Sequence, residues 1–181
     1  IEFARRVAPY TPLFIEEPLK VGSVDALLDI TQRSPVPIAT GEKLFTVREF
    51  DELIDRRACA FLQPDITHCF GITALRQIAA DAEKQQMLMA PHNVAGPIGT
   101  AATIHTDAAI PNFLIQEMCP SYFDMFSDYA EHDWTIADGY INVSDRPGFG
   151  IEVKEADIAK LPHEPMAYRQ YRHVDGSWKG W

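Results

Sequence analysis

Leu13-Phe14-Ile15-Glu16-Glu17 is the first of five short apolar runs that end on a carboxylate or a histidine. The others are Pro37-Ile38-Ala39-Thr40-Gly41-Glu42, Phe61-Leu62-Gln63-Pro64-Asp65, Met87-Leu88-Met89-Ala90-Pro91-His92 and Phe113-Leu114-Ile115-Gln116-Glu117. From Glu16 the steps between these terminal groups are 26, 23, 27 and 25 residues. That interval accommodates a strand, a loop, a helix and a return loop, which is one βα unit of a parallel sheet. In a βα barrel the C-terminal strand ends converge on one face, where reactive groups gather. The runs are therefore read as five barrel strands, each delivering one functional side chain to that face.

The segments between the runs fit this reading. Residues 1–10 look like the tail of a helix, and Ser23 is an N-cap candidate for the helix that Pro35 and Pro37 end. Thr46-Val47-Arg48-Glu49 is a capping box, with Phe50, Leu53 and Ile54 as the buried stripe of its helix. A helix from about Ile72 to Gln85 should turn Ile72, Leu75, Ile78 and Ala82 inward. Gly96-Pro97 opens a further helix, through Ala109.

Beyond Met118 the rhythm stops. Residues 118–133 are expected to form a long loop carrying Tyr122, Phe123, Phe126 and Tyr129, aromatic side chains read as packing. Trp134 to Val143 is a hairpin with Asp138-Gly139 as its tight turn. Pro147-Gly148-Phe149-Gly150 is a second turn, Glu155 to Leu161 a short helix, and the tail carries Asp175-Gly176 and Trp178. The expected division is thus 1–133, the C-terminal half of a barrel, and 134–181, a crossover returning to a second domain that lies upstream of Ile1. A complete eight-stranded barrel usually needs about 250 residues. At 181 residues and five strands, the chain is expected to be part of a longer protein.

A net charge of −10 with no Lys/Arg stripe argues against a nucleic-acid partner. No run approaches the ~20 apolar residues of a membrane span. Cys59, Cys69 and Cys119 are odd in number and in no metal-ligand spacing, so they read as free thiols of a cytoplasmic protein.

Glu16 and Glu42 are acidic groups on adjacent strand ends. A single strand-end Glu reads as a salt bridge. Two held close repel unless one is protonated or a cation lies between them, and hard cations such as Mg²⁺ take oxygen ligands. Asp65 and His92 close the next two strands. A carboxylate on one imidazole nitrogen fixes the tautomer and leaves the other nitrogen as a general base. Glu117 could donate a hydrogen bond if protonated, or orient a neighbour. Glu17 reads as a structural partner, Lys43 as a salt-bridge former and His105 as a barrel-helix residue; His68, three residues after Asp65, could reach the site mouth but reads as a solvated loop histidine.

Taken in order, Phe14-Ile15-Glu16-Glu17-Pro18, Gly41-Glu42, Leu62-Gln63-Pro64-Asp65, Gly71-Ile72-Thr73, Ala90-Pro91-His92 and Leu114-Ile115-Gln116-Glu117 resemble the enolase superfamily. The branch is that of mandelate racemase and the sugar-acid dehydratases, and Pro147-Gly148-Phe149-Gly150-Ile151-Glu152 resembles the galactonate dehydratase-like subgroup. The resemblance implies a modified (β/α)₇β barrel, strands four to eight of it here, and an N-terminal α+β capping domain absent from this chain. It implies Mg²⁺ held by three carboxylates, Glu16 and Glu42 being the second and third. The first ligand, and a catalytic His two residues after it, would precede Ile1. It further implies His92 as the base, oriented by Asp65, and Glu117 stabilising the intermediate. The small-molecule partner would be an aldonate, dehydrated to a 2-keto-3-deoxy acid by a homo-oligomer that includes the N-terminal portion. The same barrel also serves racemases, epimerases and cycloisomerases, and a non-catalytic homologue would keep the fold without the chemistry.

Overall fold

A computed structural model describes residues 1–20, 22–162, 165 and 171–177, without the side chains of residues 120 and 122–124. The helix α1 (Glu2–Val7) and a 3₁₀ turn (Ala8–Tyr10) lead into alternating strands and helices. These are β1 (Ile15–Glu16), α2 (Val24–Arg33), β2 (Ile38–Thr40), α3 (Val47–Arg56), β3 (Phe61–Leu62), α4 (Ile72–Lys84), β4 (Leu88–Met89) and α5 (Pro97–Asp107). The strands form one parallel sheet in sequence order β1-β2-β3-β4. Ile15 pairs with Ile38, Ala39 with Phe61, and Leu62 with Met89. With the strands in step, their C-terminal ends reach one edge together, so spacing in the chain becomes proximity in space.

Local chemistry sets the helix boundaries. Ser23 Oγ accepts from the Ala26 amide at 3.2 Å and starts α2. At α3, Thr46 Oγ1 accepts from the Glu49 amide at 3.3 Å while Glu49 Oε2 accepts from the Thr46 amide at 2.8 Å. The capping box is therefore complete, and such a cap stabilises a helix by about 1 kcal/mol. Phe50, Leu62, Leu75, Ile78 and Met89 are fully buried between the sheet and α2–α4. Ile72, expected inside, is 36% exposed. As the first residue of α4 its side chain tilts back past the helix N-terminus, off the sheet.

The fifth strand is shorter than expected: Phe113 makes a single parallel bridge to Met89. The ladder runs from the Met89 amide to the Asn112 carbonyl at 2.9 Å and from the Leu114 amide to the Met89 carbonyl at 2.8 Å. The next donor on the β4 side would be Pro91, which has no N–H. The Gln116 side chain takes over there, donating from Nε2 to the Pro91 carbonyl at 2.9 Å. Pro91 thus releases the chain just where His92 and Glu117 leave the sheet.

Residues 118–133 correct the expected loop. They contain helix α6 (Pro120–Tyr129) and strand β5 (Ala130–Glu131). Proline at the first helical position presets φ, and buried Phe126 packs edge-on against Trp134, ring centroids 6.4 Å apart. Phe126 and Trp134 join Ala101 and Ile104 of α5 in a second apolar cluster, flanked by Ile141, Phe149 and Ile151. The hairpin forms as expected, β6 (Ile136–Ala137) against β7 (Tyr140–Ile141), with Asp138 and Gly139 at φ 53° and 80°. β5 pairs antiparallel with β8 (Glu152–Val153), ahead of the short helix α7 (Glu155–Ile158). The side chains of Tyr122 and Phe123, and all of Trp178, lie outside the described residues. Among the described residues no helix is long and apolar enough to cross a membrane.

Candidate active site

Glu16 closes β1, and its Oε1 accepts from Gln63 Nε2 at 3.0 Å. Burial, then the charges of Glu117 and Glu42, push its carboxyl above the usual range. The Gln63 bond and His92 act in the opposite sense without reversing the shift. Glu42 follows Gly41, whose φ is +143° and whose Cβ position lies 2.9 Å from the Gln63 amide nitrogen. Only glycine passes that point without displacing backbone. Glu42 Oε1 pairs with Lys43 Nζ at 3.2 Å, and Lys43 also reaches Glu17 Oε2 at 3.2 Å. Glu17 adopts φ +46° and takes Thr40 Oγ1 at 2.5 Å and the Gly41 amide at 3.4 Å on Oε1. The bland readings of Glu17 and Lys43 hold: both brace the turn that presents Glu42.

Asp65 and His92 meet as a buried pair. Asp65, 1% exposed, accepts from His92 Nδ1 at 2.7 Å through Oδ2. Its Oδ1 takes the Thr67 amide at 2.7 Å and Thr67 Oγ1 at 2.5 Å. Burial would raise the Asp65 carboxyl, but the bonds from His92 and Thr67 outweigh it and hold it below the usual range. For His92, burial pulls the imidazole down. The Asp65 bond and the charges of Glu117 and Glu42 prevail and leave it above its ordinary value. Because a carboxylate only accepts, Nδ1 carries a proton and Nε2 is the nitrogen turned away from Asp65. Nε2 lies 3.3 Å from Glu42 Oε2 and 3.7 Å from Glu117 Oε2. Glu117 is steadied by the Asn93 amide, which donates to its Oε2 at 3.2 Å.

Four of the anticipated residues, Glu42, Asp65, His92 and Glu117, therefore meet around one imidazole. Glu42 and Glu117 flank His92 Nε2, Asp65 holds its far side, and Glu16 feels the charges of Glu42 and Glu117. Among the described residues no group of three or more His, Cys, Asp or Glu side chains is arranged to hold a metal ion. The donor chemistry nonetheless fits a hard cation. Glu16 and Glu42 offer carboxylate oxygens just past adjacent strands β1 and β2, the donor type that hard cations take.

One contributor, Gln63, is not singled out by the sequence. Gln63 shares the strand face of Asp65 by period-two alternation, a signal that was available. His68 is a correction: the expected solvated loop residue is half-buried, bonded through Nδ1 to the Glu42 carbonyl at 2.8 Å and stacked on His92.

The sequence matches the enolase C-terminal domain-like family over residues 1–157. It is 36% identical to a D-galactonate dehydratase family member of Streptomyces bingchenggensis, over 93% of this chain and 41% of that protein. It is 32% identical to the D-galactonate dehydratase of Ralstonia nicotianae, over 98% and 48% respectively. An enolase structure from Agrobacterium radiobacter with bound sodium and L-malate superposes with a TM-score of 0.85 at 31% identity, covering 98% of this chain and 48% of that one. A mandelate racemase/muconate lactonizing enzyme-like protein from Rubrobacter xylanophilus gives 0.83 at 33% identity, covering 90% and 42%. The chain spans about half the length of the relatives it matches. Its parallel sheet is accordingly part of an enolase-type barrel, and the chain belongs to the enolase C-terminal domain-like family.

Proposed function

We propose that the protein containing this chain dehydrates an aldonate to a 2-keto-3-deoxy acid, with His92 as the base that removes the α-proton. The observation that carries this reading is the buried Asp65–His92 bond, which leaves Nε2 facing the space between Glu42 and Glu117. In this mechanism Nε2 takes the α-proton, and the electron pair of the broken C–H bond spreads into the substrate carboxylate as an enediolate. The β-hydroxyl then departs as water with a proton from a general acid, and the resulting enol tautomerises to the keto acid. Asp65 stabilises the imidazolium formed in the first step. Glu117, beside Nε2, stabilises the intermediate by hydrogen bonding.

Glu16 and Glu42 are the residues that would hold Mg²⁺, which when bound supplies positive charge to the substrate carboxylate. The division at 133/134, with the second segment returning to a capping domain, belongs to the same proposal. So do the homo-oligomeric state and the cytoplasmic setting.

The test is α-proton exchange with deuterated solvent across a panel of aldonic acids, in the intact protein. Wild type should exchange the α-proton and release a 2-keto-3-deoxy product, and His92→Asn should do neither. Exchange that persists in His92→Asn assigns the base elsewhere. Exchange with inversion and no loss of water makes the protein a racemase.

A further inference from the structure

Asp65 at Nδ1 and Glu42 and Glu117 at Nε2 hold the edge of the His92 ring, which leaves its tilt to other groups. The nearly parallel ring of His68 lies alongside. The two rings lie 26° from parallel with centroids 6.2 Å apart. His68 cannot tilt freely either. Its Nδ1 lies 2.8 Å from the Glu42 carbonyl oxygen, which only accepts, so Nδ1 carries a hydrogen and donates it. The Phe45 ring lies against His68 at 5.8 Å. Three rings therefore run inward from the loop after β2, through His68, to His92.

The loop that carries His68 is itself built on Asp65. The Asp65 carbonyl accepts from the His68 amide at 3.0 Å and the Cys69 amide at 2.8 Å, and the Ile66 carbonyl from the Gly71 amide at 3.0 Å. Phe70 and Gly71 complete the turn at φ +66° and +91°. Conformations of that kind in a non-glycine residue persist where the surroundings over-determine them. His68 thus touches both halves of the site, the main chain of Glu42 and the ring of His92.

We propose that His68 is a positioning residue that holds the His92 ring in plane while anchoring the Glu42 backbone, so that Nε2 keeps its aim at the substrate. The proposal rests on the reading of His92 as the base, but the ring restraint itself can be measured without turnover. A misaimed base slows the chemical step while leaving substrate binding nearly unchanged, and small misplacements cost factors of ten or more.

The experiment compares wild type, His68→Ala, His68→Phe and Phe45→Ala in the intact protein labelled with ¹⁵N-histidine. The His92 Nδ1–H resonance is assigned by its loss in His92→Asn. His68→Ala should broaden that resonance and lower kcat about tenfold, with KM within about twofold. His68→Phe keeps the ring contact but not the bond to the Glu42 carbonyl, so it should restore a sharp resonance and only part of kcat. Phe45→Ala should show the His68→Ala effect in weaker form, and it provides the test if His68→Ala does not fold. A sharp resonance with full kcat in His68→Ala, or in Phe45→Ala where only that variant folds, overturns the proposal. So does a His68→Phe variant whose His92 resonance is as broad as that of His68→Ala. If wild type exchanges the α-proton of no aldonate, the functional reading fails, while the resonance still decides whether His68 restrains His92.

Discussion

Asp65→Asn isolates one interaction: the 2.7 Å bond between a buried carboxylate and His92 Nδ1. Two consequences follow. The charge that stabilises the imidazolium disappears, and the amide NH₂ of asparagine can face Nδ1, turning that nitrogen into an acceptor and moving the proton to Nε2. The base is then capped in most molecules. A positioned base contributes about 10²- to 10⁴-fold, so kcat should fall within that range, about 3–5 kcal/mol of barrier at ~1.4 kcal/mol per factor of ten. The pH profile is the sharper readout. In wild type the rising limb of kcat/KM tracks deprotonation of His92, which Asp65, Glu117 and Glu42 hold above its ordinary value of 6.5 against the pull of burial. Removing Asp65 deletes the first of the effects that raise it, so the limb should move to lower pH while its plateau drops. Substrate affinity should stay within roughly tenfold, or ~1.4 kcal/mol, since Asp65 does not face the substrate. The assay is kcat/KM from pH 5 to pH 9 with the aldonate that wild type turns over. A full plateau, or a limb that does not move, would refute the assignment of Asp65 as the orienter of the base.

If Glu16 and Glu42 hold Mg²⁺ as proposed, Glu42→Gln removes one of the two carboxylates this chain contributes, so calorimetry should show at least tenfold weaker Mg²⁺ binding and turnover should nearly vanish. Undiminished activity in chelator-treated wild type would instead dismiss the metal. Gly41→Ala places a Cβ 2.9 Å from the Gln63 amide nitrogen at φ +143°, and denaturant unfolding should report a loss of about 1–3 kcal/mol. Asp107, at the end of α5, is buried, and its Oδ1 has no hydrogen-bond partner among the described residues, so burial pushes its carboxyl up to about 8. The folded protein keeps a proton that the unfolded chain releases near pH 4. The associated stability is therefore fully present below that pH and lost as pH rises through 8, by up to ~1.4 kcal/mol per unit. Asp107→Asn should flatten this decline and raise Tm at pH 8 relative to wild type, and an unchanged decline would place the titration elsewhere.

The parts of the site that sequence made legible are those fixed by parallel register. Once β1 to β4 are in step, the groups just past each strand must share one rim, where Glu42, Asp65 and His92 meet and Glu16 feels the charge of Glu42. The capping box at Thr46 and the Asp138-Gly139 turn were equally legible, because each is chemistry among residues a few positions apart. What remained hidden depends on contacts the chain makes only after folding. Helix α6 is aromatic-rich and unremarkable in propensity, and it is anchored by Phe126 meeting Trp134. The fifth strand is cut short by a missing amide hydrogen on its neighbour, at Pro91, rather than by anything in its own sequence. Glu17 and Phe70 adopt left-handed backbone without being glycine, so no residue type announces the turns that aim Glu42 and seat His68. These two conformations lie on consecutive sides of the same cluster, one bracing Glu42 through Lys43 and the other closing the loop that lays His68 on His92. Backbone strain at both places is consistent with a site whose geometry is held against local preference, which is what a base aimed through a single nitrogen requires.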